Sequence, residues 1–186
     1  MKIVGPESEK RSSATVSYPF LLLLSAALAA VLGGCTIGSA PAGQRTLELP
    51  VEEIWADSQC GYAGGRPMVT WMADQNQFKA LASGVPSGDL KAMAAPGRVD
   101  WDRVGLVWIA MGIKPSGGYA LELAGKKATV SHGVAVITVR WRQPGPGSVV
   151  TQQLTSPCLM LKLPKGNFSA IEIKDETGQV RARGEL

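Results

Sequence analysis

From Val99 to Leu186 the sequence runs as short β-branched and aromatic stretches, broken by turn residues every eight to twelve positions or so. That spacing predicts an antiparallel β-sandwich or a barrel-like sheet. The predicted strands are Val104 to Met111, Tyr119 to Leu123, Ala128 to Val130, Val134 to Trp141, Ser148 to Leu154, Cys158 to Leu163, Ser169 to Lys174 and Gln179 to Arg183. Between the first two stands Lys114-Pro115-Ser116-Gly117-Gly118-Tyr119, which reads as the turn of a hairpin pairing them. Pro115 pre-sets φ for a turn, and the adjacent glycines supply positive φ without steric cost. Gln143-Pro144-Gly145-Pro146-Gly147 predicts an exposed loop, and Asp175 to Gly178 a tight link between the last two strands.

Towards the amino terminus the period changes. Thr46 to Val51 alternates and meets Pro50, as an edge strand does. Pro67 to Met72 is a second apolar run, and Asp74 then caps a predicted helix with Phe78, Leu81 and Ala82 at helical spacing. Leu90 to Ala95 fits a further short helix before Pro96-Gly97. The expected class is therefore mainly β (α+β), with one or two short helices near its N-terminal side.

The first 34 residues predict a targeting segment rather than part of the fold. Lys2, Lys10 and Arg11 precede an uncharged apolar run from Tyr18 to Leu32. At about 1.5 Å per helical residue this run is roughly 22 Å long, short of the roughly 30 Å hydrocarbon core, which favours a signal over a permanent span. Leu32-Gly33-Gly34-Cys35 resembles the lipobox of bacterial lipoproteins, which implies cleavage before Cys35 and lipidation of its sulfur; the alternative is an ordinary signal peptide with an incidental cysteine. Two or three acyl chains anchor stably, at roughly 0.8 kcal/mol per buried methylene. Thr36, not aspartate, follows Cys35, so by resemblance to enterobacterial sorting the periplasm-facing side of the outer membrane is expected. Residues 35–45, rich in small residues, read as a leash, and residues 46–186 as a single globular domain.

The chain has 19 Lys and Arg against 15 Asp and Glu, too even a balance to argue for nucleic acid. In an oxidising compartment Cys60 and Cys158 fit a disulfide better than a metal site, the alternative being two separate buried thiols. His132 is the only histidine and sits at a predicted turn, and no nucleophile elbow accompanies it, so no catalytic residue is assigned. No metal-ligand spacing and no phosphate-cradling glycine loop are present in the sequence, so neither metal nor cofactor is expected. Asp100 and Asp102 fit a turn before a strand better than a cation site. Trp101 and Trp141, beside charged residues, fit core positions or an interface.

Four motifs stand in order: Met-Gly-Ile-Lys-Pro-Ser-Gly-Gly-Tyr ending at Tyr119, Gln143 to Gly147, Thr151-Gln152-Gln153-Leu154-Thr155-Ser156-Pro157-Cys158, and Leu163-Pro164-Lys165. Together, over about residues 99 to 166, they resemble the PrcB family C-terminal domain, named for a protease complex subunit. The resemblance implies a secreted or lipid-anchored, non-catalytic subunit supporting a surface protease complex. The Pro115 to Tyr119 turn is also similar to the first binding loop of chagasin-type cysteine protease inhibitors, but departs from it at Lys114 and Gly117 and lacks that inhibitor's two other loops. The leading expectation is a membrane-anchored accessory module, not an enzyme, that binds another protein, a protease being one candidate, through Pro115, Ser116, Gly117, Gly118, Tyr119, Pro144 and Gly145. The alternatives are a protease inhibitor inserting the Pro115 to Tyr119 loop and a structural envelope lipoprotein.

Overall fold

The computed structural model describes residues 46–86, 90 and 97–186. The targeting segment, Cys35 and the leash lie outside these, as does the second expected helix except for Leu90, which is buried. Among the described residues ten strands and one helix follow in the order β1 (Leu47–Pro50), β2 (Glu52–Asp57), β3 (Met68–Met72), α1 (Gln75–Gly84), β4 (Val104–Ala110), β5 (Ala120–Leu123), β6 (Lys127–Ser131), β7 (Val134–Arg142), β8 (Cys158–Pro164), β9 (Ala170–Lys174) and β10 (Val180–Glu185). The mainly β class with a short helix on the N-terminal side holds.

The strands form two sheets. One is a four-stranded antiparallel sheet in the order β2-β8-β4-β3. The other has six strands, β1-β6-β7-β9-β10 with β5 beside the far half of β7, and its β7–β9 pair is parallel. β1 is the expected edge strand, with Pro50 at its end. The edges approach each other without closing a barrel: Leu123 N–H donates to the Glu53 carboxylate at 2.8 Å, and Gly184 packs directly on the Val69 backbone.

The apolar run of β4 is continuous because both of its faces are covered. Val107 and Ile109, with Leu159, Leu161 and Leu163 of β8, meet Ile137, Val139, Ile171 and Ile173 of the six-stranded sheet. Leu106, Trp108 and Ala110, with Cys158 and Met160, point the other way and meet Phe78 and Ala82 of α1. The helix starts where expected, Asp74 Oδ1 accepting from the N–H groups of Asn76 (2.8 Å) and Gln77 (2.9 Å). Trp108 Nε1 has no hydrogen-bond partner among the described residues. An unmade bond of that kind costs about 1–3 kcal/mol. The indole's apolar burial and its edge contact with Tyr62, at 5.8 Å between ring centres, offset that cost.

Two expectations are corrected. Val104 to Met111 and Tyr119 to Leu123 are not a hairpin: β4 pairs with β3 and β8, whereas β5 pairs with β7 in the opposite sheet. The intervening segment is a crossover between layers, because β4 needs partners at both edges and cover on both faces. Ser148 to Leu154 is loop rather than strand.

Gly105 shows how tight the layer is. A Cβ there would run into the Trp71 ring and come within 2.7 Å of the Met72 carbonyl oxygen. Gly105→Ala is therefore expected to destabilise by about 1–3 kcal/mol, read as a lower urea midpoint at constant slope. An unchanged midpoint would contradict this packing.

Candidate functional site

Three of the four motifs meet at one end of the sandwich. Their meeting point is the extended stretch Thr155-Ser156, just before β8. On one side Lys114 and Thr155 exchange backbone hydrogen bonds of 2.8 and 3.0 Å; on the other Ser156 N–H donates to Ser58 O at 2.9 Å and Cys60 N–H donates to Ser156 O at 3.0 Å. Both side chains are buried and used. Thr155 Oγ1 donates to Ser116 O at 2.7 Å and Ser156 Oγ to Tyr62 O at 2.8 Å, so the Thr-Ser-Pro motif fastens two neighbouring segments to β8.

The Pro115 to Tyr119 segment is fastened further out as well. Gly117 N–H donates to Thr151 O at 2.9 Å. A Cβ on Gly117 would strike Thr151 Oγ1, so this glycine serves close approach, whereas Gly118, at φ 83°, needs the left-handed region. Gly118 also lies against Val150 and Pro144, which brings the Pro-Gly loop to the same place. Of the expected contact residues, Pro115, Gly118 and Gly145 are exposed, while Ser116, Gly117, Tyr119 and Pro144 are half-buried. The stretch is a sutured crossover, not a projecting tip.

The disulfide joins Cys60 to Cys158, both buried, with Cα atoms 5.9 Å apart across 98 positions of sequence. It ties the 58–65 segment to β8 beside the Ser156 contacts. Leu163-Pro164-Lys165 lies at the opposite end, where Pro164 faces Val104 and Lys165 N–H donates to Arg103 O at 2.9 Å. Leu47, where β1 begins, is opposite Val130 next to the β6–β7 turn, so the described chain also starts at that opposite end.

Sequence reasoning missed the residues that the three motifs leave exposed. Ile113 and Leu154 are 42% and 65% exposed and line one recess with Gln59, Tyr62 and Ala63. Val149 is fully exposed on the neighbouring loop. The available signal was apolar side chains in loop stretches, which the strand reading of Ser148 to Leu154 absorbed.

A second, polar recess lies between Gly118 and the end of β7, lined by Arg140, Trp141, Arg142, Gln143 and Glu176. Its charges are paired. Arg142 makes two bonds to Glu122, at 2.7 and 3.1 Å, and Arg140 reaches Glu122 and Glu176. The Arg142 bond, followed by its charge and by Arg140, holds the Glu122 carboxyl below its usual value. Trp141 packs on the inter-sheet core with Arg181 over its ring at 5.5 Å, and Trp101 leans on Phe78; both are half-buried. His132, at φ 52° in the β6–β7 turn, sits next to Ser131 Oγ at 2.9 Å. Asp100 occupies a turn, accepting from Arg103 and Val104 N–H. Among the described residues no group of three or more His, Cys, Asp or Glu could hold a metal ion, and no helix is long and apolar enough to cross a membrane.

The fold and this end define a class: a two-sheet β module whose loops are stapled into a fixed surface. Residues 106–164, which span β4 to β8 and hence three of the four motifs entire, match the family model described as PrcB C-terminal. No curated protein and no solved structure matches the chain.

Asp175 supports the same end from the β9–β10 turn. Its carboxylate accepts from Thr177 Oγ1 (2.6 Å), Thr177 N–H (2.9 Å), Gln179 N–H (3.0 Å) and Arg181 Nε (2.8 Å). The Thr177 hydroxyl foremost, against the opposing effect of burial, takes its pKa from the ordinary 3.8 to about 2. A carboxyl with a depressed folded-state pKa contributes stability that is present above its unfolded value and lost as pH falls through the folded one. Unfolding midpoints are therefore expected to hold above about pH 4 on account of this group and to fall between 3.8 and about 2, with Asp175→Asn flattening that limb. An identical acid limb in wild type and variant would contradict the assignment.

Proposed function

We propose that this protein is a non-catalytic accessory module that docks another protein, a component of a protease complex, through the end built by Ile113 to Tyr119, Gln143 to Pro157 and Gln59 to Arg66. In this reading it is a lipoprotein held through Cys35 to the periplasm-facing side of the outer membrane. The observation that carries it is the convergence of three family motifs on one end, with Ile113 and Leu154 left exposed there, while the described chain begins at the other end. The PrcB C-terminal match supports a partner in a protease complex.

Inhibition by loop insertion is less well supported. A wedge needs a free tip, and here Ser116 O and Gly117 N–H are both committed to the 151–155 segment.

Two readouts test the proposal in one strain set. Cys35→Ala is expected to move the protein from the membrane to the soluble fraction and to abolish labelling with a palmitate analogue. Leu154→Asp, still lipidated, is expected to lose a protease-complex component that co-purifies with the wild type from detergent extracts. Retention of that component by Leu154→Asp would count against docking at this end; unchanged membrane attachment of Cys35→Ala would count against the anchor.

A further inference from the structure

We propose that the loop between β7 and β8 is a proteolytic processing site, cut at the Val149–Val150 bond by an endopeptidase whose primary pocket takes a β-branched aliphatic side chain, and that the Cys60–Cys158 disulfide keeps the two pieces together. The inference does not depend on the docking reading above.

Accessibility decides first. An endopeptidase draws its substrate into the cleft as an extended strand, bonding to main-chain N–H and C=O groups and taking one side chain into a pocket. The segment it accepts is therefore exposed, short of internal hydrogen bonds and apolar at one position. Val149 meets all three conditions. Its side chain is fully exposed, and neither its N–H and C=O nor those of Val150 have a hydrogen-bond partner among the described residues. The other exposed large apolar side chains stand on bonded main chain: Leu47 and Val180 pair in strands, Ile113 N–H donates to Gly64 O, Leu186 N–H donates to Ser169 O, and Leu154 O accepts from Gln59.

Opening the loop disturbs little. No residue from 142 to 154 is buried, and none belongs to either apolar layer. Ser148 N–H donates to Gly145 O at 3.1 Å within the loop. Among the described residues, the one main-chain bond from 144–153 to the rest of the chain is that of Gly117 N–H to Thr151 O, at 2.9 Å. Segments held this lightly open far more often than the molecule unfolds.

Composition then selects the enzyme. Residues 143–161 hold no Lys, Arg, Asp or Glu and no aromatic side chain, so a pocket that needs a charged or aromatic anchor finds none here. Leu154, the other exposed aliphatic side chain of the loop, is followed at once by the buried Thr155-Ser156 stretch. Val149 is the anchor that remains.

The cut consumes one water. The amide C–N bond between Val149 and Val150 breaks, leaving a carboxylate on Val149 and an ammonium on Val150, with no change of oxidation state. β1 to β7 then lie on one piece and β8 to β10 on the other. β8 still sits between β2 and β4, β9 still pairs with β7, and Cys158 of the second piece is bonded to Cys60 of the first. Cleavage therefore yields a disulfide-linked two-piece form with its core intact and two new charged ends in the β7–β8 loop.

The test treats the full chain, extracted in detergent, with an elastase that prefers valine, and in parallel isolates the untreated protein from cells. Both samples are expected to carry a new amino terminus at Val150, and the cut molecules to run as one band without reductant and as two with it. Val149→Asp, which changes a fully exposed side chain, is expected to slow elastase cleavage at this bond about tenfold or more and to remain uncut there in cells. Absence of a Val150 terminus from either wild-type sample, or equal cleavage rates for wild type and Val149→Asp, would overturn the site. Pieces that separate without reductant would overturn the two-piece form.

Discussion

The whole molecule depends on covering β4 and β8 on both faces. Each strand places alternate side chains into two different apolar layers, Val107, Ile109, Leu159 and Leu161 towards the six-stranded sheet and Leu106, Trp108, Cys158 and Met160 towards α1. Burying a side chain of this size is worth about 1.5–3 kcal/mol, whereas an exposed ion pair is worth about 0.2–1 kcal/mol. The ion pairs along β5, β7, β9 and β10 therefore decorate the outer sheet without holding it. A central pair of strands locked in this way gives the loops at its ends a fixed base.

On that base most of the motif residues hold backbone in place rather than face outward. Thr155, Ser156 and Gly117 have their polar atoms or their surface committed to neighbouring backbone, and the disulfide adds a covalent tie to the same stretch. Within the same motif stretches other residues face outward, Ile113 and Leu154 above all. The motif stretches thus divide the labour between neighbouring residues: Thr155, Ser156 and Gly117 fix the backbone, and Ile113 and Leu154 are presented by it.

Much of the architecture was legible because local chemistry decides it. Asp74 caps α1 since its carboxylate satisfies the first free N–H groups; Pro50 sits at an edge since it cannot donate to a second neighbour; Asp175 to Gly178 turns since Gly178, at φ 84°, adopts the left-handed region. The hairpin failed for a non-local reason. Pro115 and Gly118 specify a change of direction but not which sheet receives the chain, and only the need to cover both faces of β4 sends it across. The exposed residues were illegible for a related reason: whether Leu154 is core or surface depends on Gln59, 95 positions away, and on the Ser58 to Tyr62 stretch that Ser156 holds in place beside it.

The central claim is that the stapled loop end, and not the end where the described chain begins, meets a protein partner. Site-specific photo-crosslinking in intact cells tests it most directly, with a photoreactive amino acid at Leu154 in one strain and at Lys165 in another. The account predicts a discrete higher-mass protein adduct from position 154 and none from position 165. An adduct from 165 alone, or the same adduct from both, would contradict it.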